Sequence, residues 1–271
     1  MVVEDYSVSH ELFEIWECGV CRLRFTQDVP DQQAIASYYQ SPGYISHSNT
    51  KTGIVNKLYH LVRNVTLKQK RNLITSRTGL QRGNLLDIGA GAGTFAAFMK
   101  QSGWSVTGVE PDATTRGKAF ENYGINLLAS DELFQLVPQT YNAITMWHVL
   151  EHVHDLHGYL EQIKKLLKPG GVLFIAVPNY TSDDATRYGE RWAAWDVPIH
   201  LYHFSPASMK RLLTKHGLKL KSVKPMWFDS FYVSLLSEKY KTGHENLVGG
   251  FVSGFMSNMK AASSWTARKP P

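Results

Sequence analysis

The residues best suited to chemistry in this sequence form a glycine-rich turn, Leu85-Leu86-Asp87-Ile88-Gly89-Ala90-Gly91-Ala92-Gly93-Thr94. An apolar run enters the turn and a helical pattern leaves it. Glycines let the backbone approach a ligand closely, and the first turn of the following helix presents free N–H groups. A dinucleotide fingerprint reads G-x-G-x-x-G. Here the spacing is G-x-G-x-G, and Thr94 stands where the third glycine should be. That favours a different nucleoside. Glu110, at the end of the next apolar-alternating segment, can accept both hydroxyls of a ribose, a feature common to both kinds of site. A second signature is Cys18-Gly19-Val20-Cys21, the spacing of half a zinc ribbon. Four ligands are normally needed, and only His10 lies nearby as a third.

These residues need a scaffold, and the pattern from residue 84 supplies a β/α alternation. Leu85–Ile88 reads as a strand, Thr94–Gln101 as a helix stopped by Gly103, and Trp104–Glu110 as a strand. Ala113–Tyr123 is a helix ended by Gly124, and Ile125–Leu128 and Tyr141–Trp147 are strands. Asp155 can cap a helix whose apolar residues Leu156, Tyr159, Leu160, Ile163, Leu166 and Leu167 form one stripe. Lys168-Pro169-Gly170-Gly171 is a stop, and Val172–Val177 is a strand covered on both faces. Such alternation gives a parallel, doubly wound sheet with its ligand at the carboxyl ends of the strands. Chemistry is therefore expected just after Ile88, Glu110, Leu128, Trp147 and Val177. Beyond the fifth strand, Ser205-Pro206 starts a helix that runs to His216 with Gly217 as its cap. Leu218–Lys224 and Ser263–Arg268 read as strands. Between them lies an aromatic, Met-rich insertion, Met226–Met259. Tyr38–Ser76 looks mostly helical, and no internal repeat is found.

Leu85–Gly93, Val106-Thr107-Gly108-Val109-Glu110-Pro111-Asp112, Thr145–Asp155 and Leu166–Asn179 together carry a family likeness. Over roughly residues 84–220 the sequence resembles the class I S-adenosylmethionine-dependent methyltransferases, in the branch of quinone and small-molecule O-methyltransferases. The resemblance implies an α/β fold, a doubly wound, seven-stranded Rossmann-like sheet with an antiparallel last strand, which suits Ser263–Arg268, and an N-terminal helical or lid extension. It implies three regions: 1–45, an extension with a half-ribbon remnant; 46–83, a helical lead-in or lid; and 84–271, the methyltransferase domain. Within the last, 226–259 would cover the acceptor pocket or form a homodimer contact. The implied cofactor is S-adenosylmethionine, with S-adenosylhomocysteine as product. Gly89, Ala90, Gly91 and Gly93 would surround its methionine part. Asp87 would anchor the turn and reach the amino group, and Glu110 would bind the ribose. Asp131 would approach the adenine or cap a helix. Trp147 and His148 would line the pocket. Tyr44 and His47 are lid candidates, or part of a surface loop. One departure is Tyr141-Asn142, where the family usually has an aspartate before the fourth strand; it lies away from the cofactor edge. Some relatives carry an earlier cysteine pair, which is not found ahead of Cys18 here, so a ribbon remnant without zinc is expected.

Methyl transfer from a sulfonium is an in-line displacement governed by positioning, and a hydroxyl or amine nucleophile needs a proton acceptor. The sequence is histidine-rich near the expected site: His148, His152, His154 and His157, then His200 and His203. His148, Glu151 and His152 stand at i, i+3 and i+4, so a helix there would put all three on one face. Some quinone O-methyltransferases have acidic and His metal ligands here; this sequence has a histidine in place of a glutamate, and no metal is expected. His148 and His152 are general-base candidates. Asp196 and His200, in the aromatic segment Arg191–Phe204, are further ones. That segment reads as an acceptor-pocket wall; the alternative is that Trp192, Trp195 and Phe204 are core and His200 is structural.

Composition bounds the rest. With 271 residues, 43% hydrophobic and 19% charged, the sequence is globular in composition. Two cysteines are too few for a disulfide scaffold and fit a reducing, cytoplasmic setting. The acidic start has no apolar h-region, so no signal peptide is expected. No stretch of about 18 apolar residues exists, so no membrane span is expected. The net charge of +6 is uneven: residues 32–86 hold eight bases and no acid. That segment could face a polyanion, though a solvated helical face explains it as well. The expected partner is a small-molecule methyl acceptor, without nucleic acid. The rivals are an RNA methyltransferase, which the basic segment would serve, and a non-catalytic S-adenosylmethionine-binding protein.

Overall fold

The structure, a computed structural model, describes residues 1–39 and 54–244. Along the chain come β1 (Val2–Glu4), β2 (Leu12–Glu17), β3 (Arg24–Thr26), α1 (Ile54–Thr78), β4 (Asn84–Ile88), α2 (Thr94–Gln101), β5 (Ser105–Val109) and α3 (Ala113–Tyr123). Then follow β6 (Tyr141–Trp147), α4 (Leu156–Leu166), β7 (Leu167–Ala176), α5 (Asp183–Tyr188), β8 (Tyr202–His203), α6 (Pro206–Lys215) and α7 (Trp227–Thr242). They gather into a central unit, Thr52–Val177, and a flanking unit, Met1–Lys51 with Pro178–Pro271. The expected boundaries at 45 and 83 are not those of the contacts. The flanking unit draws on both ends of the chain because β3 pairs with β8, Arg24 lying opposite His203.

In the central unit four parallel strands run in the order β5-β4-β6-β7. Leu85, Leu86, Asp87 and Ile88 are all buried, as a strand covered on both faces requires. Leu128 adds a single parallel bridge to Val109, so the expected third strand is reduced to one bridged residue. The strand order reverses between β4 and β6, the place where such sheets bind ligands. Local signals set the helices. Asp112 caps α3 by accepting from Thr115 N–H at 2.7 Å, and Gly124 ends it at φ +62°. Asp155 caps α4 by accepting from Gly158 N–H at 2.9 Å, and Leu156, Leu160, Ile163 and Leu166 form its buried stripe. The Lys168–Gly171 stop ends the helix but not the sheet. β7 begins at Leu167 opposite Tyr141 and resumes with Val172 opposite Ala143, and the tetrad forms the irregularity between them.

The flanking unit has an antiparallel sheet of order β1-β2-β3-β8. β2 alternates with period two: Phe13 and Ile15 are buried, Leu12 and Trp16 exposed. Val3, Phe13 and Ile15 pack with Ala185, Tyr188, Trp192 and Trp195. Ser205 caps α6 at Ser208 N–H and Pro206 occupies its first turn, as expected. Leu218–Lys224, expected as a strand, is irregular: residues 221–224 are all exposed, and among the described residues no strand pairs with them. The Met226–Met259 insertion contributes α7 to this unit, where Ser237 Oγ accepts from Ala193 N–H at 2.8 Å and Tyr240 stacks on Tyr6 at 4.5 Å. Ser263–Arg268 and residues 245–259 lie outside the described residues. No described helix is long and apolar enough to cross a membrane.

Candidate active site

Three left-handed glycines shape the turn after β4, with φ of +71° at Gly89, +54° at Gly91 and +76° at Gly93. Two of them also answer to packing. A Cβ on Gly89 would stand 2.3 Å from Val149 Cγ2, and one on Gly93 would stand 2.9 Å from the Ala119 Cβ. Among the described residues, a Cβ on Gly91 would meet nothing within 4 Å. Gly91 therefore borders open space, and a side chain there would occupy it. Gly89 and Ala90 donate to the Val109 carbonyl at 2.8 and 3.0 Å, which fastens the turn to β5.

Glu110 faces this turn. Its Oε2 accepts from Gly91 N–H at 2.9 Å and its Oε1 from Asp112 N–H at 3.2 Å. Each oxygen keeps capacity for one further donor. Burial raises the Glu110 pKa above the usual carboxylate range. Arg116 Nη1 donates to the carbonyls of Glu110 and Pro111 at 2.8 and 2.7 Å, holding the chain beneath the carboxylate.

Asp87 lies fully buried at the end of β4. Burial pushes its pKa up to about 7, against the hydrogen bond from Thr145 and the positive charge of Lys70. The Thr145 hydroxyl donates to Asp87 Oδ1 at 2.7 Å, since register places the two residues directly opposite each other. Lys70 Nζ, from α1, stands 4.4 Å from the centroid of the Trp147 ring. Trp147 in turn meets Phe95 edge-on at 5.8 Å. Sequence reasoning missed Thr145 and Lys70. A hydroxyl in the fourth strand, paired across from the acid, was the available signal for Thr145; nothing local marks Lys70.

The histidines divide between the units. In the central unit, His148 follows β6 in a left-handed conformation, φ +57°, and a short 3-10 turn covers Leu150–His152. The expected helical face is therefore not formed, because His148 precedes the turn. His148 and Glu151 still meet, Nδ1 to Oε1 at 3.5 Å, with the imidazole 40% exposed and the carboxylate fully buried. In the flanking unit, His200 is buried, with Nδ1 3.0 Å from the Ala194 carbonyl and Nε2 3.9 Å from Asp196 Oδ2. Asp196 is left-handed at φ +40°. Trp192, Trp195 and Phe204, expected as a pocket wall, are core residues instead. His203 is buried against Thr26 at 3.0 Å, and burial holds its pKa well below the usual imidazole value.

Asp131 is exposed in the 3-10 helix Ser130–Gln135, and the capping contact expected of it is made by Glu132, which accepts from Ala129 N–H at 2.8 Å. Tyr44 and His47 lie outside the described residues.

Comparison with known proteins gives this geometry its setting. The ubiquinone biosynthesis O-methyltransferase of Pseudomonas aeruginosa (strain LESB58) is 32% identical over 116 residues, covering 40% of this chain and 50% of that protein. The mitochondrial ubiquinone biosynthesis O-methyltransferase of Homo sapiens is 28% identical over 164 residues, covering 54% of this chain and 44% of that protein. The chain thus spans about half the length of the curated relatives it matches. A crystal structure of magnesium protoporphyrin IX methyltransferase from Synechocystis PCC 6803 with bound SAH aligns with a TM-score of 0.53 at 16% identity, covering 72% of this chain and 92% of that one. It shows the shared fold. A family model described as a methyltransferase domain matches residues 62–223, well over half of the sequence. The chain belongs to the class I methyltransferase domain family.

Proposed function

We propose that this chain transfers a methyl group from S-adenosylmethionine to an oxygen of a small-molecule acceptor, leaving S-adenosylhomocysteine. The observation that carries the reading is the pair Gly91 and Glu110. A backbone with open space on its side-chain face stands beside a carboxylate whose two oxygens each hold one N–H and can take one hydroxyl more. That pair of acceptors fits the two hydroxyls of a ribose. The names of the curated relatives support an oxygen acceptor.

The bound cofactor supplies an electrophilic methyl on sulfur. The protein supplies placement. Glu110 holds the ribose hydroxyls, and the glycine turn lets the backbone close on the ligand. Asp87, once ionised, faces the amino group. His148 takes the proton of the acceptor hydroxyl, and the Glu151 carboxylate, 3.5 Å from its Nδ1, stabilises the imidazolium that forms. The left-handed backbone at His148 supports this choice, since strain of that kind gathers at functional sites. The reading places the chemistry in the cytoplasm, in keeping with two free thiols.

Calorimetric titration with S-adenosylmethionine, S-adenosylhomocysteine and NAD tests the proposal. Micromolar binding of the first two without NAD is expected. Replacing Glu110 by Ala should weaken binding by about 1.5–3 kcal/mol for each charge-assisted hydrogen bond lost. Binding of NAD alone overturns the reading, and salt-sensitive retention of tRNA would overturn the small-molecule acceptor.

A further inference from the structure

The Cys18–Cys21 turn plays no part in methyl transfer as proposed, yet it is a built site. It joins β2 to β3 and is closed by Cys18 N–H to the Leu23 carbonyl and Arg22 N–H to the Cys18 carbonyl, both at 2.9 Å. Arg22 turns the chain back in a left-handed conformation, φ +62°. Cys21 N–H points to Cys18 Sγ at 3.5 Å. The amides of Val20 and Arg22 and the Cys21 thiol also stabilise negative charge on that sulfur, and together these contacts lower its pKa. Two clamps hold the turn: the Arg211 guanidinium donates to the Val20 carbonyl, and the Tyr180 hydroxyl donates to the Arg22 carbonyl at 2.6 Å. Both thiols are free and partly exposed. Among the described residues, no cluster of three metal-ligating side chains includes either cysteine.

We propose that Cys18 and Cys21 form a thiol–disulfide exchange site, in which Cys18 attacks a small disulfide such as oxidised glutathione and Cys21 closes the internal disulfide. The Cys18 thiolate attacks one sulfur of the small disulfide. That S–S bond breaks, a mixed disulfide forms on Cys18, and the first thiolate leaves and takes a proton from water. Cys21 gives its proton to water and attacks the Cys18 sulfur, expelling the second thiolate. The protein loses two electrons and the small disulfide becomes two thiols. The amides that face its sulfur make Cys18 the first nucleophile, because the thiolate is the reactive form. The clamps hold the backbone on either side of Cys21, whose amide already reaches the Cys18 sulfur.

The test is intact-mass analysis of the reduced full chain treated with oxidised glutathione. The wild type should end two hydrogens lighter, with the disulfide mapped to Cys18–Cys21. Cys21→Ser should stop with one glutathione on Cys18. Cys18→Ser should leave a thiol that reacts at least about threefold more slowly than the wild type. Alkylation of the unmutated chain against pH is the check that needs no variant, and it should reach half its maximum rate below the ordinary thiol range. Three results overturn the proposal: a first adduct on Cys21, wild-type thiols no faster than free cysteine, or thiols that react only after a chelator has removed a bound metal.

Discussion

The carboxyl edge of the central sheet and the Trp192–Phe204 loop of the flanking unit each hold a histidine beside a carboxylate, yet the two pairs are built in opposite senses. At the edge, the imidazole of His148 is 40% exposed and the carboxylate of Glu151 is fully buried. In the loop, the imidazole of His200 is 9% exposed and the Asp196 carboxylate 30%. A general base must exchange its proton with a substrate, so its ring must be reachable and its partner fixed. His148 meets that description. His200 gives Nδ1 to the Ala194 carbonyl and sits among buried neighbours, which is how a structural histidine is satisfied. Similar spacing in the sequence has produced one group suited to chemistry and one to packing.

The broadest way to break the contrast is to close the edge. Gly91→Leu should abolish cofactor binding by calorimetry, because a side chain there enters the open space and is forced into a left-handed backbone. Retained binding would mean that the turn is not the ligand's cradle. Next in size is His148→Ala. Loss of a general base should lower turnover by about 100- to 10,000-fold while cofactor affinity and thermal stability hold. If affinity and turnover fall together, His148 packs against the ligand and is no base.

How much of this could be read beforehand depended on how far apart the interacting residues lie. Asp155 was legible as a cap because a cap bonds an amide three residues away. The glycine turn was legible for the same reason. β7 starting at Leu167 was not, since its register is chosen by Tyr141 across the sheet. The flanking unit was hidden for a stronger version of that reason: Arg24 pairs with His203, far along the chain. Lys70 reaches the surroundings of Asp87 from a helix whose basic residues looked in sequence like one solvated face. The pocket-wall reading of Trp192, Trp195 and Phe204 failed because aromatic density alone does not say whether rings face a ligand or a core.

His200→Ala sharpens the contrast from the other side. It removes a buried ring and leaves the Ala194 carbonyl without its donor, a cost of about 1–3 kcal/mol. Thermal melting should show the loss, and turnover per folded molecule should stay near that of the wild type. A large fall in turnover with an unchanged melting temperature would exchange the roles of the two histidines.

Taken per pH unit, the smallest expected effect is also the one with the most distinctive sign. Asp87 has its pKa raised from 3.8 to about 7 in the folded chain, chiefly by burial, with Glu110 adding to the rise and Thr145 and Lys70 opposing it. Between those two values the folded protein keeps a proton that the unfolded chain has released. Its stability must therefore fall as pH rises through that window, by at most about 1.4 kcal/mol per pH unit from this group. Above about 7 both states are ionised and the contribution levels off. Cofactor binding should run the other way. If the anion of Asp87 faces a positively charged amino group, affinity grows with pH up to about 7, by no more than tenfold per unit, and then flattens. Asp87→Asn carries no such proton. It should flatten both curves, weaken binding above neutral pH and leave the folded chain no less stable there. Urea melts and titrations across the same pH series measure the two slopes. Parallel slopes in the wild type, or slopes that survive in the variant, would show that another group titrates and that Asp87 only supports the turn.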